Sequence, residues 1–513
     1  MKHPLPILSL SKAAAIVIAA FDPSPQNHVY QSYTAPFFPI SLRDIQFRSQ
    51  KKNDAYYRAL KTFNNLIALD EFPATALPFA IVTPSSANNH GIGQAIRTAS
   101  EVGIRVSARS GGYHSGYSST MAAVDSYLED FVLIDLHKLD RVTVNPEDQT
   151  AIAEPGATGQ DLYEETIKYG LHFPGPHAAR VTIGGFLLQG GMGIGSRCHG
   201  AGVDNIIGID IVLYCGRTIY ADSDTESDLF NAIRGGGQFF GVVTKFYLRL
   251  VPIVEKPTLA PTYDASSVPI DQVFAIFDRP QANDLLRFYG TFDLVAPKLL
   301  ENKIVFIVDP TTYSKQFLFA SFSAVPSNSS PEVKAAHDLI VQWYKHIPTS
   351  FATSVASNYD SLIHASDSSW ADWGLSYYAE DVWLSAPLDP KLQQVLIEQW
   401  DKVPSSLSTM ALNTGPWDSP TRSALGFDRS YSLCIYSTWK RNGDRTQDIA
   451  NLAWLDETID AIKPWILGYY ANELRPRRLQ DKDYWRKCYE EDTYNSLITA
   501  KTRWDPHNIF KSL

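Results

Sequence analysis

The sequence predicts an α+β protein, and three observations predict it. A short apolar run at residues 104–106 reads as a buried strand and leads into Arg109-Ser110-Gly111-Gly112-Tyr113-His114-Ser115-Gly116-Tyr117-Ser118. A second glycine-rich zone follows, with Gly184, Gly185, Gly190, Gly191, Gly193, Gly195, Gly200 and Gly202 inside nineteen residues. Beyond Pro252 and Pro257 the texture changes to strands mixed with amphipathic helices, the pattern of a sheet covered by helices on one face.

The elements follow in order. A strand at 79–82 precedes a helix at 87–102, with Ser85 or Ser86 as its cap and Gly103 as its stop. After the glycine loop come strands at 131–136 and 150–154, then a helix at 159–169 stopped by Gly170. Residues 206–214 and 217–221 flank Cys215-Gly216 and read as a β-hairpin. A helix at 229–234 ends on Gly235-Gly236-Gly237, and 242–251 is a strand. Further strands are expected at 303–308, 316–324, 382–384, 410–414 and 429–440, and helices at 332–346, 390–403 and 444–462. Residues 1–72 form an N-terminal extension.

Composition removes several function classes. The chain has 513 residues and a net charge of -10 without a basic stripe, so nucleic acid is not an expected partner. No segment approaches the roughly 20 apolar residues of a membrane span. Cys198, Cys215, Cys434 and Cys488 match no zinc or disulfide spacing, so free, buried thiols and no metal are expected. Lys12 interrupts the apolar start of the chain and favours a cytoplasmic protein, with a weak signal peptide in residues 1–20 as the alternative. One glycosylation sequon occurs at Asn328-Ser329-Ser330.

The glycine loops carry the chemistry. Glycine turns leave backbone N–H groups uncovered, and such a loop can wrap an anionic group, most often a dinucleotide pyrophosphate. Two such loops can clamp it from both sides. A Rossmann motif is the rival, but Gly191-Met192-Gly193-Ile194-Gly195 has the wrong spacing for it.

Further motifs follow in order: Phe173-Pro174-Gly175-Pro176-His177 leading into Val181-Thr182-Ile183-Gly184-Gly185, then Asp228-Leu229-Phe230-Asn231-Ala232-Ile233-Arg234-Gly235, Phe240-Gly241-Val242-Val243-Thr244 and Asp505-Pro506-His507-Asn508-Ile509-Phe510. With the first loop, they resemble the berberine-bridge-enzyme-like group of FAD-linked oxidases, in the vanillyl-alcohol-oxidase superfamily. The resemblance runs from about residue 73 to the C-terminus. It implies a PCMH-type FAD-binding domain of two α+β subdomains at 73–252. A substrate domain at 253–474 would roof the flavin with an antiparallel sheet covered by helices, and a segment at 475–513 would return to the FAD domain.

The resemblance also implies the FAD contacts. From the first loop they are Arg109, Ser110, Gly111, Gly112, Tyr113, His114, Ser115 and Ser118. From the second zone they are His177, Val181, Thr182, Gly184, Gly185, Gly190, Gly191 and Gly193. His199 and Gly200 would lie near the pyrophosphate, Ile206 at the adenine edge and Asn508 near the flavin ring. In the family a histidine directly after Arg-Ser-Gly-Gly usually carries the flavin. Here Tyr113 holds that position and His114 comes one later, so a covalent link through His114 and non-covalent FAD beside Tyr113 are both open. The second, cysteinyl link of some relatives would fall at Ala178 and is therefore absent. Two further departures are Phe239 for the usual Asn and Phe427-Asp428 for the usual His-Arg.

Flavin oxidation of an alcohol needs a group that takes the hydroxyl proton. Strand alternation at 429–440 places Ser432, Cys434, Tyr436 and Thr438 on one face. Cys434 stands where many relatives carry Glu or Gln, and a neutral thiol is a poor base. By resemblance Tyr494, in Thr493-Tyr494-Asn495-Ser496-Leu497, is the first catalytic candidate and Tyr436 the second. The implied activity is an FAD-dependent oxidoreductase acting on a small-molecule alcohol or related C–H or C–N site beneath an aromatic roof, in specialised metabolism, with O2 as electron acceptor. A dehydrogenase or cyclase of the same fold, and a flavin-binding protein without turnover, are the alternatives.

Overall fold

The architecture follows from where the apolar periodicity changes from three or four residues to two. The computed structural model describes residues 45–47, 60, 77–84, 89–114, 131–237, 239–254, 256–323, 330–365, 375–413, 423–425, 431–440, 445–473, 475 and 482–510. Ser85, Ser86, Ser115, Ser118, the sequon asparagine, Phe427-Asp428 and residues 1–20 lie outside the described residues.

The first sheet contains β1 (Ile45–Phe47), β2 (Ala80–Val82), β3 (Arg105–Arg109) and β4 (Phe131–Asp135), in the order β1-β2-β4-β3. β4 runs parallel to both β2 and β3, and β1 closes one edge antiparallel. Helix α1 (Asn89–Glu101) connects β2 to β3. Its Ile92, Ile96 and Ala99, at helical spacing, are buried against Val106 and Ile134. Ile509 and Phe510 join this cluster from the other end of the chain, and the Val106 N–H donates to the Ile509 carbonyl at 2.8 Å.

The next stretch holds β5 (Val142–Asn145), β6 (Thr150–Ala153), α2 (Gly159–Ile167), β7 (Leu171–His172), α3 (Ile183–Leu188) and α4 (Ser196–His199). It continues with β8 (Ile206–Val212), β9 (Thr218–Ala221), α5 (Ser227–Gly236), β10 (Val242–Arg249) and β11 (Val251–Pro252). An antiparallel sheet forms in the order β5-β6-β10-β8-β9, and β11 pairs with β7. The expected hairpin is β8–β9. Helix α2 starts on a capping box in which Thr158 and Asp161 satisfy each other's backbone N–H groups.

The remainder builds one large sheet from β12 (Pro269–Asp278), β13 (Leu300–Val308), β14 (Lys315–Ser323), β15 (Phe351–Asn358), β16 (Leu375–Leu384), β17 (Thr409–Asn413), β18 (Tyr431–Lys440) and β19 (Ile466–Tyr469). Its order is β15-β12-β14-β13-β17-β18-β16-β19, antiparallel throughout. Between the strands lie α6 (Ala282–Val295), α7 (Pro331–Tyr344), α8 (Tyr359–Ile363), α9 (Pro390–Asp401) and α10 (Arg445–Ile462). Ile304, Phe306, Leu412, Leu433 and Ile435 alternate onto the face that meets Leu285, Leu396, Trp400 and Leu455 of the helices. The chain ends with α11 (Lys482–Lys487) and α12 (Glu491–Trp504).

Several expectations change. The strand foreseen at 382–384 is the end of the ten-residue β16, and β12, β15 and α6 were not anticipated. All four cysteines are free, but only Cys434 and Cys488 are buried; Cys198 is half-buried and Cys215 is exposed in the β8–β9 turn, where no core element covers it. Among the described residues no helix is long and apolar enough to cross a membrane.

One buried ion pair ties the second glycine zone to the large sheet. Arg197 of α4 sets Nη1 2.6 Å from Asp293 Oδ1 of α6, and Asn302 of β13 donates to the same oxygen at 2.9 Å. Removing the carboxylate takes the paired charge away from a buried guanidinium, and breaking a buried pair in this way costs about 3–5 kcal/mol. Asp293→Ala is therefore expected to lower the unfolding free energy in urea by that amount. An unchanged denaturation midpoint would show that the pair does not hold these elements together.

Candidate active site

β3 and β4 are parallel, so both end at the same edge of their sheet, and the first glycine loop leaves from that edge. Beneath it, the buried Arg109 guanidinium sits 2.5 Å from Asp135 Oδ2 at the end of β4. Burial raises the Asp135 carboxyl, but His137 and Arg109 outweigh it and hold the group below the ordinary carboxylate range. The charge of Arg109 is thus used inside the protein, to anchor the loop.

The two glycine zones are stitched to each other. The Gly111 N–H donates to Thr182 Oγ1 at 2.7 Å, and the Gly185 N–H donates to Ser110 Oγ at 3.1 Å. Thr182 is the N-cap residue of α3, yet its hydroxyl caps no N–H of that helix. The approach requires glycine. A Cβ on Gly111 would lie 2.6 Å from Thr182 Oγ1, and one on Gly184 would lie 2.8 Å from Ser110 Oγ and Pro155.

A cleft of about 930 Å³, open to solvent, runs along this seam. Its polar wall is Ser110, Gly112, Tyr113, His114, Thr182, Gly184 and Gly185. Leu136, Val181, Phe186, Val243 and Phe246 make an apolar wall, and Asn472 and Glu473 close the side toward the large sheet. The lining, polar backbone groups facing apolar side chains, is that of a cofactor site. Closely approaching backbone at one end and apolar side chains at the other suit a dinucleotide with a phosphate bridge and a flat ring.

The face of the large sheet opposite its covering helices carries a polar strip. Asp381 of β16 lies opposite Cys434 of β18, and Ser432 opposite Asn413 of β17. The Cys434 thiol donates to Asp381 Oδ2 at 2.9 Å, and the Ser432 hydroxyl contacts both carboxylate oxygens at 2.9 and 3.0 Å. Burial pushes the Asp381 carboxyl up to about 6 despite these bonds. Burial and the nearby Asp381 push Glu473 up to about 8. Cys434 is driven well above its ordinary value, first by burial and then by Asp381, and stays a neutral thiol.

Residues 78–222 match a family model described as an FAD binding domain. The FAD-linked oxidoreductase ptmO of Penicillium ochrochloron is 26% identical over 460 residues, covering 87% of this chain and 91% of its own. The xylooligosaccharide oxidase of Thermothelomyces thermophilus is 32% identical over 248 residues, covering 48% of this chain and 45% of its own. A solved berberine bridge enzyme variant, described as a reticuline dehydrogenase, superposes with a TM-score of 0.76 at 19% identity, covering 92% of this chain and 96% of its own. The chain is an FAD-linked oxidoreductase with the fold of the berberine bridge enzyme.

FAD is the cofactor of this chain, and the cleft is where its residues fit it. Of the residues expected to contact FAD, Arg109, Ser110, Gly112, Tyr113, His114, Val181, Thr182, Gly184 and Gly185 line the cleft, and Gly111 lies behind it in the stitch. Tyr113 and His114 both reach the cleft, so the one-residue shift keeps the histidine there. Ala178 offers no sulfur. The other described ones lie outside the lining. Gly191 donates to the Tyr470 hydroxyl at 3.0 Å and Gly193 to Ser196 Oγ at 2.8 Å. Gly190 accepts from the Val203 N–H. His177 pairs with Glu301 at 3.0 Å; His199 lies where burial lowers its pKa against the opposing pull of Glu301. Gly200 ends α4, Ile206 begins β8, and Asn508 turns the chain at φ 51 beside β3.

Tyr436 shares the β18 face of Cys434 and Ser432, stacked on Tyr377 at 5.7 Å, and like Tyr494 it is not part of the cleft lining. Burial above all drives its phenol well above the ordinary value, so it remains a donor. Tyr494 stands half-buried on α12 with the Arg486 guanidinium 5.7 Å from its ring, away from the cleft lining. Phe239 packs edge-on to Trp485 at 5.3 Å, which makes the departure from Asn a core contact. The roof is also not purely aromatic: Asp381 and Glu473 were missed, because neither belongs to a motif.

The stitch yields a test. Gly111→Ala places a methyl against Thr182 and is expected to lower the FAD-to-protein ratio of the purified enzyme severalfold, with far-ultraviolet circular dichroism unchanged. Full flavin occupancy in this variant would show that the close approach of the loops is not needed.

Proposed function

We propose that this FAD-linked oxidoreductase oxidises a C–H bond next to oxygen or nitrogen in a small molecule, and that dioxygen is its electron acceptor. A primary or secondary alcohol of specialised metabolism is the favoured substrate. One observation carries the reading: a single cleft is bordered by the loop residues Gly112, Tyr113 and His114 on one side and by Asn472 and Glu473 on the other. A substrate between them has a redox cofactor site on one face and groups able to handle its proton on the other.

FAD, when bound, supplies the hydride acceptor. The chain's own residues do the rest. The apolar wall of Phe186, Val243 and Phe246 offers a flat ring a surface to pack on. His114 is positioned on the cleft wall as the candidate for a covalent link, and Tyr113 packs beside it.

Two measurements test this. Anaerobic addition of candidate alcohols should bleach the yellow protein, and admitting air should restore the colour with formation of hydrogen peroxide. Bleaching without recovery in air would favour a dehydrogenase, and no bleaching with any alcohol or amine would contradict the reading. Acid precipitation should leave the flavin on the pellet, and His114→Ala should release it to the supernatant. A colourless wild-type pellet would exclude the covalent link.

A further inference from the structure

We propose that Glu473 is the catalytic group that takes the substrate's hydroxyl proton, and that Asp381, held by Cys434 and Ser432, is its positioning partner. This rests on the oxidoreductase reading above. It names a carboxylate supplied from outside β18, where Cys434 provides none.

The placement follows from local structure. The Tyr470 N–H donates to the Asp381 carbonyl at 2.9 Å, and the Glu473 N–H donates to the Tyr470 carbonyl at 3.2 Å. These two bonds fix the turn after β19 against β16. They bring Glu473 into the lining of the cleft, with Asn472 beside it. The same cleft is lined by His114 and Tyr113 from the glycine loop. Asp381 is 1% exposed and cannot itself meet a substrate, whereas Glu473 is half-buried at the cleft surface.

The groups around Glu473 set its proton affinity. From β16 they are Asp381 and Tyr377, and from β18 Cys434 and Tyr436. Across the cleft stand His114 and Tyr113, with Arg109 beneath them paired to Asp135. Among the described residues no lysine or arginine pairs with Glu473 or Asp381. Two neighbouring carboxyls in a desolvated place cannot both ionise easily, so one proton stays on the pair until the pH rises through the upper value. Burial and Asp381 put that upper value, on Glu473, at about 8. Asp381 is the lower member at about 6, because Cys434 and Ser432 donate to its carboxylate and offset part of its burial.

The step balances. The substrate C–H bond breaks with both electrons, which leave as hydride to the cofactor. The O–H bond breaks, its electron pair forms the C=O bond, and its proton moves to the Glu473 carboxylate. Oxidation of the alcohol by two electrons matches the two-electron reduction of FAD.

The test uses the full-length holoenzyme and two readouts. The first is infrared titration of the oxidised protein without substrate. A protonated-carboxyl band should disappear as pH rises through about 8 in the wild type, be missing in Glu473→Gln, and titrate at lower pH in Asp381→Asn. The second is anaerobic flavin reduction by an alcohol that bleaches the wild type. Its rate should rise with pH through the same region. In Glu473→Gln the rate per bound flavin should fall by about 10²–10⁴, the usual worth of a positioned base. Asp381→Asn should move the rising limb to lower pH rather than abolish it. An unchanged rate in Glu473→Gln, or a wild-type band that does not titrate near 8, would overturn the proposal. A wild type that no alcohol bleaches would instead remove the oxidoreductase reading, and the infrared titration would still decide the state of Glu473.

Discussion

The site depends on a pair of reciprocal hydrogen bonds. Gly111 gives its N–H to Thr182, and Gly185 gives its N–H to Ser110. Each bond joins a loop leaving the parallel sheet to the start of α3, two segments more than 70 residues apart in the chain. Neither can form unless the backbones approach closer than a Cβ allows, which is why glycine occupies positions 111 and 184. Side-chain hydroxyls do the joining, and Gly112, Tyr113 and His114 of the loop line the cleft. The Arg109–Asp135 pair beneath keeps the loop on the sheet edge.

A second constraint sets the roof. Glu380 is fully buried on the helix-covered face of β16, where it pairs with Arg475 and accepts from the Tyr484 hydroxyl. Strand alternation then forces its neighbour Asp381 onto the opposite face, toward Cys434 and Ser432. A one-residue slip would exchange the two carboxylates, burying Asp381 beside Arg475 and exposing Glu380 to the cleft side. The structural ion pair therefore fixes the register on which the chemical carboxylate depends. The Tyr470 side chain adds a link across the seam, since its hydroxyl accepts from Gly191 of the second glycine zone.

Much of this was legible in the sequence, and the reasons differ by element. The glycine loops announce themselves because their backbone geometry needs glycine, and the α2 helix carries its own cap at Thr158 and its stop at Gly170. The helix-covered sheet was visible where apolar residues alternate, as in β18. It was hidden in β12, where Val273-Phe274-Ala275-Ile276-Phe277 is apolar on both faces and shows no period of two. In β16 the reading stopped at Val382 because Glu380-Asp381 breaks the apolar run. Those two residues are buried polar groups with partners, a pattern that only the folded chain reveals. Glu473 lies in a turn with no motif around it. Tyr494 was attractive by its local pattern, yet the helix that carries it turns the ring toward Arg486.

The central claim is that the stitched glycine loops and the turn after β19 border one FAD site. A crystal structure of the protein purified with its native flavin tests this most directly. The account predicts continuous FAD density in the cleft lined by Gly112, His114, Thr182 and Glu473. Flavin density at another place, with this cleft filled only by solvent, would contradict it.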